Sequence, residues 1–207
     1  MSLASPAHGA PDEPPETALT EMSLEELLSV TVVSASNTSE KLAEAPATVI
    51  VITRDDLAKR GYTELSQVLD DLPGMQVVRP YGATYLKNYW RGFRNTIGDP
   101  FLLLLDGVVL NHLYFNTADV LVTLPLSNVA RVEVVYGPAS SIYGPNAFMG
   151  VINVITEAPS KNGTSFRGGL TAGSFATRLA DVTASYQRDD FSVRLSARFD
   201  DGELDSS

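Results

Sequence analysis

The stretch Leu126–Thr156, LSNVARVEVVYGPASSIYGPNAFMGVINVIT, decides the fold. Within it, Arg131–Tyr136 alternates polar and apolar side chains and predicts a β-strand. Gly150–Thr156 is mostly apolar and β-branched, so it predicts a second strand. The connection between them contains Gly137 and Gly144, whose freedom to adopt positive φ suits tight turns better than a catalytic role.

Shorter signals on the N-terminal side of this stretch predict strands and helices in mixed order. Buried strands are expected at Thr48–Ile52 and Phe101–Leu105, and a further strand is expected at Met75–Val78. Helices are expected after the N-cap residue Thr53 and from Thr63, with a single helical turn at Pro125–Asn128. Such an order around one core defines an α+β domain, with a small mixed β-sheet flanked by short helices.

The pattern changes after Pro159. Three segments within residues 161–207 alternate strictly between apolar and polar side chains and are separated by polar turns. Segments of about 10 residues with this alternation are typical of transmembrane β-barrel strands, but a soluble antiparallel sheet alternates in the same way. Taken alone, the pattern favours the soluble sheet.

The N-terminal region is acidic. No lysine or arginine occurs before Lys41, and prolines interrupt residues 1–22, which predicts a disordered acidic leader. Ser23 and Glu26 have the spacing of a capping box and predict a short helix. The first residues lack the basic start and apolar core of an export signal, so we expect either a cytosolic protein or a signal peptide already removed.

Composition argues against several classes of function. A net charge of −10 without clusters of lysine or arginine argues against nucleic-acid binding. Cysteine is absent and the only histidines are His8 and His112, so we expect no metal site and no cofactor. Residues 137–144 lack the lysine of a phosphate loop, and no Gly-x-Ser-x-Gly elbow surrounds Ser140 or Ser141. We therefore expect no catalytic residues and no enzymatic activity.

The run Leu126–Gly144 resembles the hallmark of the plug domains of TonB-dependent receptors, in which a strand of the type IERIEVLRGP leads to a YG turn. Met149–Thr156 resembles the GGVINIIT strand that follows it, with Met149 in place of a usual glycine and Tyr136 in place of a usual arginine. Further blocks resemble the same family in the same order, namely Ala45–Thr53, Leu69–Val78, Arg91–Phe93 and Leu104–Val108. The resemblance spans about residues 23–160.

This resemblance implies an outer-membrane receptor whose plug blocks the lumen of a barrel of about 22 strands. It divides the chain into the acidic leader at 1–22, a Ton-box region and linker at 23–44, the plug domain at 45–160, and the first strands of an incomplete barrel at 161–207. Three strands cannot close such a barrel, so the chain is expected to be a fragment of a longer receptor. Its N-terminus is expected to face the periplasm.

The resemblance also places a Ton box, the segment that TonB binds, near the N-terminus. Its residues are Val30, Thr31, Val32, Val33, Ser34 and Ala35. An unpaired extended segment can add as a strand to a partner sheet through backbone hydrogen bonds. The alternative is an ordinary edge strand of the plug.

Two aromatic loops are expected to face the ligand, as the apical loops of the plug do in the family. The candidate residues are Tyr81, Tyr85, Tyr89, Trp90, His112 and Tyr114. Aromatic faces suit flat or cyclic ligands, and tyrosine hydroxyls supply orientation. The alternative for each residue is packing against the barrel wall, and His112 alone is better explained as a hydrogen-bonded surface histidine than as a metal ligand.

Three charged residues, Arg91, Arg131 and Glu133, resemble plug residues that meet barrel charges in the family. Arg131 and Glu133 are two residues apart on a predicted strand, so their side chains share a face. The alternative is a cross-strand surface pair, worth only about tenths of a kcal/mol.

The resemblance implies energised uptake of a scarce ligand such as a ferric siderophore, haem or cobalamin. The implied partners are TonB, the β-barrel, that small-molecule ligand and the outer membrane. The rival hypotheses are a stand-alone periplasmic ligand-binding module with a plug-like fold and an enzyme whose site the sequence does not reveal.

Overall fold

The computed structural model describes residues 31–32, 34, 40–41, 47–79, 86–93, 97–157, 163–173, 178–188 and 191–201. The leader expected at 1–22 and the helix expected from Ser23 lie outside these residues. Within the described part, no helix is both long enough and apolar enough to cross a membrane.

The described residues form strands and short helices in mixed order, which confirms the predicted α+β fold class. The strands are β1 (Thr31–Val32), β2 (Glu40–Lys41), β3 (Thr48–Thr53), β4 (Met75–Val78), β5 (Lys87–Trp90), β6 (Leu102–Leu105), β7 (Val108–Val109), β8 (Val129–Tyr136), β9 (Gly150–Thr156), β10 (Gly163–Ala172), β11 (Arg178–Arg188) and β12 (Phe191–Asp201). The helices are α1 (Arg54–Lys59), α2 (Leu65–Asp70) and α3 (Ser140–Tyr143).

A five-stranded sheet in the order β3-β8-β9-β6-β7 forms the centre of the α+β domain. Its central strands β8 and β9 both come from the stretch Leu126–Thr156 and pair antiparallel. Strand β6 joins β9 in parallel, so the sheet is mixed, as predicted. Both central strands are buried along most of their length, because the sheet is covered on both faces.

The two faces of this sheet pack into separate cores. The larger core contains Val134 and Ile152 together with Trp90. The smaller core contains Val135 and Val151. Because successive side chains of a strand point to opposite faces, a single step along β8 moves from one core to the other.

The start of α1 confirms the sequence prediction. The side chain of Thr53 accepts a hydrogen bond from the N–H of Asp56, and the Asp56 carboxylate accepts one from the N–H of Thr53. This capping box satisfies two N–H groups that the first turn of a helix leaves without partners.

Two other helix predictions need correction. The N-cap of α2 is Glu64, not Thr63, because the Gln67 side chain accepts hydrogen bonds from the N–H groups of both residues and holds Thr63 outside the helix. Pro125–Asn128 forms turns and bends rather than a helical turn. The single helical turn of this region is α3, at Ser140–Tyr143.

Strands β10, β11 and β12 form a separate antiparallel sheet, at the positions where the sequence alternates. Its apolar face is open, and Leu170 and Leu195 are 90% and 71% exposed. Its polar face is covered along the middle strand, where Thr183 and Ser185 are buried, whereas Thr171 and Ser196 of the outer strands are exposed. A soluble sheet with one covered face would bury its apolar side chains instead. The observed burial is therefore the reverse of the burial expected for the soluble sheet that alternation alone favours.

Polar contacts join this three-stranded sheet to the α+β domain. Glu157, directly after β9, forms ion pairs with Arg54 of α1 and Arg167 of β10. Arg198 of β12 donates a hydrogen bond to the carbonyl of Thr63 at 2.5 Å. Through these contacts the polar face of the sheet is turned toward the α+β domain.

Candidate functional site

Ser34 is held against the five-stranded sheet by residues far along the chain. Its backbone N–H donates to Oε2 of Glu133 at 2.9 Å, and its hydroxyl accepts from Nδ2 of Asn153 at 3.0 Å. Ser34 and Val32 are both fully buried. At this point the N-terminal segment is docked on the α+β domain.

Strand register explains why Glu133 and Asn153 meet. They lie directly opposite each other on β8 and β9, so their side chains are neighbours on one face of the sheet. The Oε1 atom of Glu133 accepts a hydrogen bond from Nε of Arg131 at 2.9 Å. A fully buried carboxylate is costly unless it is paired and hydrogen-bonded, and its contacts with Arg131 and Ser34 meet that requirement.

Tyr143 of α3 lies beside the same residues. Its hydroxyl hydrogen-bonds the Ser34 side chain, and its pKa is raised by burial and, to a smaller extent, by the negative charge of Glu133. The phenol therefore stays neutral. We call Ser34, Arg131, Glu133, Tyr143 and Asn153 the Ser34 cluster.

A second polar and aromatic group lies on the loop at residues 111–118, called here the His112 loop. Its tip exposes Leu113, Tyr114 and Phe115 to solvent. The N–H groups of Tyr114 and Phe115 both donate to Nδ1 of His112, at 3.2 Å each. The imidazole thus closes the tip of the loop as a hydrogen-bond acceptor and leaves three apolar or aromatic side chains outside.

Asp99 anchors the base of the His112 loop. Its carboxylate accepts from Nδ2 of Asn88 at 2.6 Å and from the N–H of Ala118 at 2.5 Å. Its backbone carbonyl accepts from Nδ2 of Asn116 at 2.9 Å. Burial raises the pKa of Asp99, and the hydrogen bonds from Asn88 and Ala118 partly oppose this rise. One buried acid therefore connects the C-terminal side of the loop, at Asn116 and Ala118, to Asn88 of β5.

Asp99→Asn is expected to lower the free energy of unfolding by about 1–3 kcal/mol. An amide has one acceptor oxygen where the carboxylate has two, so the donor of either Asn88 or Ala118 loses its acceptor. Because the pKa of Asp99 is raised in the folded chain, the folded state takes up this proton more readily than the unfolded state does. The stability that Asp99 contributes is therefore greatest at acid pH and decreases as pH rises from the unfolded pKa to the folded pKa.

Urea unfolding of the wild type and of Asp99→Asn, from about pH 4 upward, measures both effects. The stability difference between the two proteins should narrow as pH rises. Asp119→Asn, which alters a neighbouring exposed acid, is the control and should cost far less. A difference that widens with pH would contradict the raised pKa.

Comparison with known proteins identifies the α+β domain. A family model described as the TonB-dependent Receptor Plug Domain matches residues 41–151, more than half of the chain. The chain belongs to this family. The match runs from β2 to the start of β9 and includes Arg131, Glu133 and Tyr143 of the Ser34 cluster.

Solved receptors share the fold of the plug. The ferripyoverdine receptor of the outer membrane of Pseudomonas aeruginosa is 22% identical with a TM-score of 0.65, over 84% of this chain and 22% of that chain. The alcaligin outer-membrane receptor FauA from Bordetella pertussis is 21% identical with a TM-score of 0.67, over 91% and 32%. The ferric-catecholate import receptor Fiu from E. coli K12 is 24% identical with a TM-score of 0.60, over 82% and 24%. This chain therefore spans between about a fifth and a third of each receptor's length.

The residues predicted as the Ton box are described in part. Thr31 and Val32 form β1, which pairs antiparallel with β2, and Ser34 belongs to the Ser34 cluster. The other predicted residues, Val30, Val33 and Ala35, lie outside the described residues. Strands β1 and β2 form a ribbon separate from the five-stranded sheet, so the described part of this segment is not an edge strand of that sheet.

One predicted ligand-facing residue, Trp90, is a core residue instead. It is fully buried, and its ring packs edge-on against Phe101 with a centroid distance of 5.8 Å. The cause is the alternation along β5, which turns Trp90 into the plug and leaves Tyr89 half-buried. The other two predicted residues of the first aromatic loop, Tyr81 and Tyr85, lie outside the described residues.

The predicted residues of the second loop, His112 and Tyr114, are both exposed and lie at the tip of the His112 loop. Sequence reasoning did not select Leu113 and Phe115, which share that tip. Apolar side chains are usually buried, and no pattern in the sequence distinguishes an exposed apolar tip from a buried one.

The expected plug–barrel residues make contacts within the plug. Arg131 pairs with Glu133 along β8, and because Glu133 is fully buried, the alternative of a cross-strand surface pair is wrong. The guanidinium of Arg91 lies over the Tyr136 ring, 5.4 Å from its centroid. An ion pair to the three-stranded sheet comes from Glu157 instead, which sequence spacing could not reveal because its partner lies in a different sheet.

Proposed function

We propose that this chain is the gate of an energised outer-membrane receptor that imports a ferric siderophore. Membership of the TonB-dependent receptor plug family carries the proposal. Three solved receptors of the same fold are named for ferripyoverdine, alcaligin and ferric catecholates. Haem and cobalamin are the alternative ligands.

The three-stranded sheet supports the gate assignment. Its apolar face is exposed while its polar face contacts the plug, which is the arrangement of barrel strands that have lipid outside and a plug inside. We propose that β10–β12 begin the barrel wall. Arg91 and Arg131 remain candidates for contacts with later strands of that wall.

For the energy supply, we propose that TonB takes residues 30–35 by strand addition from the periplasmic side. Within the described residues, β1 and β2 pair at Thr31–Lys41 and Val32–Glu40, and a partner strand that adds to this segment would replace that pairing. In strand addition, the backbone hydrogen bonds supply affinity and the alternating side chains supply specificity.

For the ligand, we propose that the His112 loop forms part of the extracellular binding surface. Tyr114 and Phe115 pack edge-on with ring centroids 4.8 Å apart, and Tyr114 is 84% exposed. Aromatic faces of this kind suit a flat or cyclic iron chelate. Tyr81, Tyr85 and Tyr89 are proposed for the same surface.

The rival hypothesis of a stand-alone periplasmic binding module is less well supported. A soluble module would leave the apolar face of β10–β12 in water, and exposed apolar patches of that kind mark an interaction surface. A gate performs no bond-breaking step, so the proposed function requires no catalytic residue.

Uptake by the full-length receptor tests the proposal. Iron-starved cells that express it as their sole siderophore receptor should take up radiolabelled iron from a panel of ferric siderophores when TonB is present, and not when TonB is absent. Labelled cobalamin and haem are the comparison ligands. Uptake of either one without any ferric siderophore would refute the iron assignment, and uptake that does not need TonB would refute the gate.

A further inference from the structure

The Ser34 cluster is a docking site built from distant parts of the plug. Ser34 reaches Glu133, 99 residues away, and Asn153, 119 residues away. Glu133, Asn153 and Tyr143 come from β8, β9 and α3, so three elements of the plug converge on one residue of the N-terminal segment.

The plug forms the acceptor side of this site without help from the segment. Glu133 and Asn153 stand opposite each other because β8 and β9 pair there, and Asn153 is further held because its Oδ1 accepts from the N–H of Gly107 at 3.2 Å. Arg131 holds the other oxygen of Glu133. The carboxylate oxygen Oε2 is thus aimed at the backbone N–H that Ser34 supplies.

Undocking Ser34 costs free energy, because hydrogen bonds are lost on both sides of the contact. Removing a hydrogen-bond donor from a buried acceptor costs more free energy when the acceptor is charged than when it is neutral, and water must then replace the donor. Ser34 also loses the contacts of its hydroxyl with Asn153 and Tyr143. The docked state is therefore favoured until another partner offers equivalent hydrogen bonds.

We propose that Glu133 is the positioning residue of the segment at residues 30–35, which TonB is proposed to bind. By holding the N–H of Ser34, Glu133 keeps this segment on the plug and limits its availability to a partner strand. The partner part of this inference rests on the proposed function, whereas the docking part does not. A partner that pairs with Ser34 must displace Glu133, so its measured affinity is reduced by the cost of undocking.

Glu133→Gln in the full-length receptor tests the inference, because glutamine keeps the size of the side chain and removes its charge. Hydrogen exchange at the Ser34 amide should accelerate about tenfold or more, while amides of β8 and β9 keep their protection. The affinity of the purified periplasmic domain of TonB for the receptor should rise by a similar factor. A residue with a merely structural role would leave this affinity unchanged or lower it. Asp201→Asn, a charge-matched change at the exposed end of β12, should alter neither.

The outcomes separate this inference from the proposed function. If TonB binds neither protein, the proposed function fails, whatever the exchange rates are. If TonB binds both with equal affinity, or if Ser34 exchanges at the wild-type rate in Glu133→Gln, the positioning role of Glu133 is overturned.

Ser34→Ala keeps the test decisive if Glu133→Gln does not fold. This change leaves every core residue in place and removes only the hydroxyl, which contacts Asn153 and Tyr143. It should also accelerate exchange and raise TonB affinity, by a smaller factor, because the N–H bond to Glu133 remains. An unchanged affinity in this variant counts against the inference.

Discussion

Replacing Gly150 with alanine is expected to destabilise the plug by about 3 kcal/mol or more, the upper part of the range for inserting a group into a packed core. The added Cβ would lie 2.2 Å from the carbonyl oxygen of Val135 and 2.6 Å from a ring carbon of Trp90. The carbonyl cannot withdraw, because it belongs to β8 where β8 pairs with β9. Trp90 cannot withdraw either, because it is fully buried against Phe101.

Urea unfolding measured by far-ultraviolet circular dichroism checks this expectation. Trp90 is the only tryptophan of the chain, so its fluorescence reports the same site. Gly169→Ala is the matched control, since a Cβ at this position of β10 meets nothing within 4 Å. The control should unfold close to the wild-type urea concentration. A Gly150→Ala chain with that same midpoint would show that the sheet accommodates the methyl group.

Replacing Val32 with proline in the full-length receptor is expected to abolish TonB-dependent uptake. Strand addition needs the backbone N–H groups of the added segment, and proline removes one of them. Val32 lies in β1, ahead of the five-stranded sheet and outside the His112 loop. Binding of the ligand at the outer surface should therefore be unchanged.

The measurement is uptake of radiolabelled ligand, together with ligand binding to the same cells. Val32→Ala is the matched control, because it removes the buried side chain and keeps the N–H, and it should retain uptake. Undiminished uptake in Val32→Pro would mean that TonB does not pair with this segment. Equal loss in both variants would assign the effect to packing of Val32 instead of strand pairing.

Much of the fold could be predicted because its signals are local. Thr53 and Asp56 define the start of α1 through their own backbone, with no help from the rest of the chain. The apolar runs of β6 and β9 are marked by composition alone, and β8 is marked by the alternation of its side chains. The start of α2 was misplaced by one residue because Gln67, inside the helix, competes for the same N–H groups.

The candidate site could be predicted less well, because its contacts join distant segments. The spacing of Arg131 and Glu133 correctly placed both side chains on one face, and they form an ion pair. It could not reveal that Glu133 also holds Ser34, because that contact depends on how the N-terminal segment lies on the folded sheet. Similarly, the aromatic residues before Arg91 suggested a loop that faces a ligand, whereas the alternation along β5 turns Trp90 inward.

By itself, the sequence determined the order of strands and helices, the α+β class and the resemblance to TonB-dependent receptor plugs, since each depends on residues close together in the chain. Only the tertiary structure decided that β10–β12 turn their polar face toward the plug and expose their apolar face, that Trp90 packs against Gly150, and that Ser34 is docked on Glu133 and Asn153. Exposure and hydrogen-bond partners are properties of packed surfaces. Those surfaces exist only after strands that are distant in sequence have paired in one register.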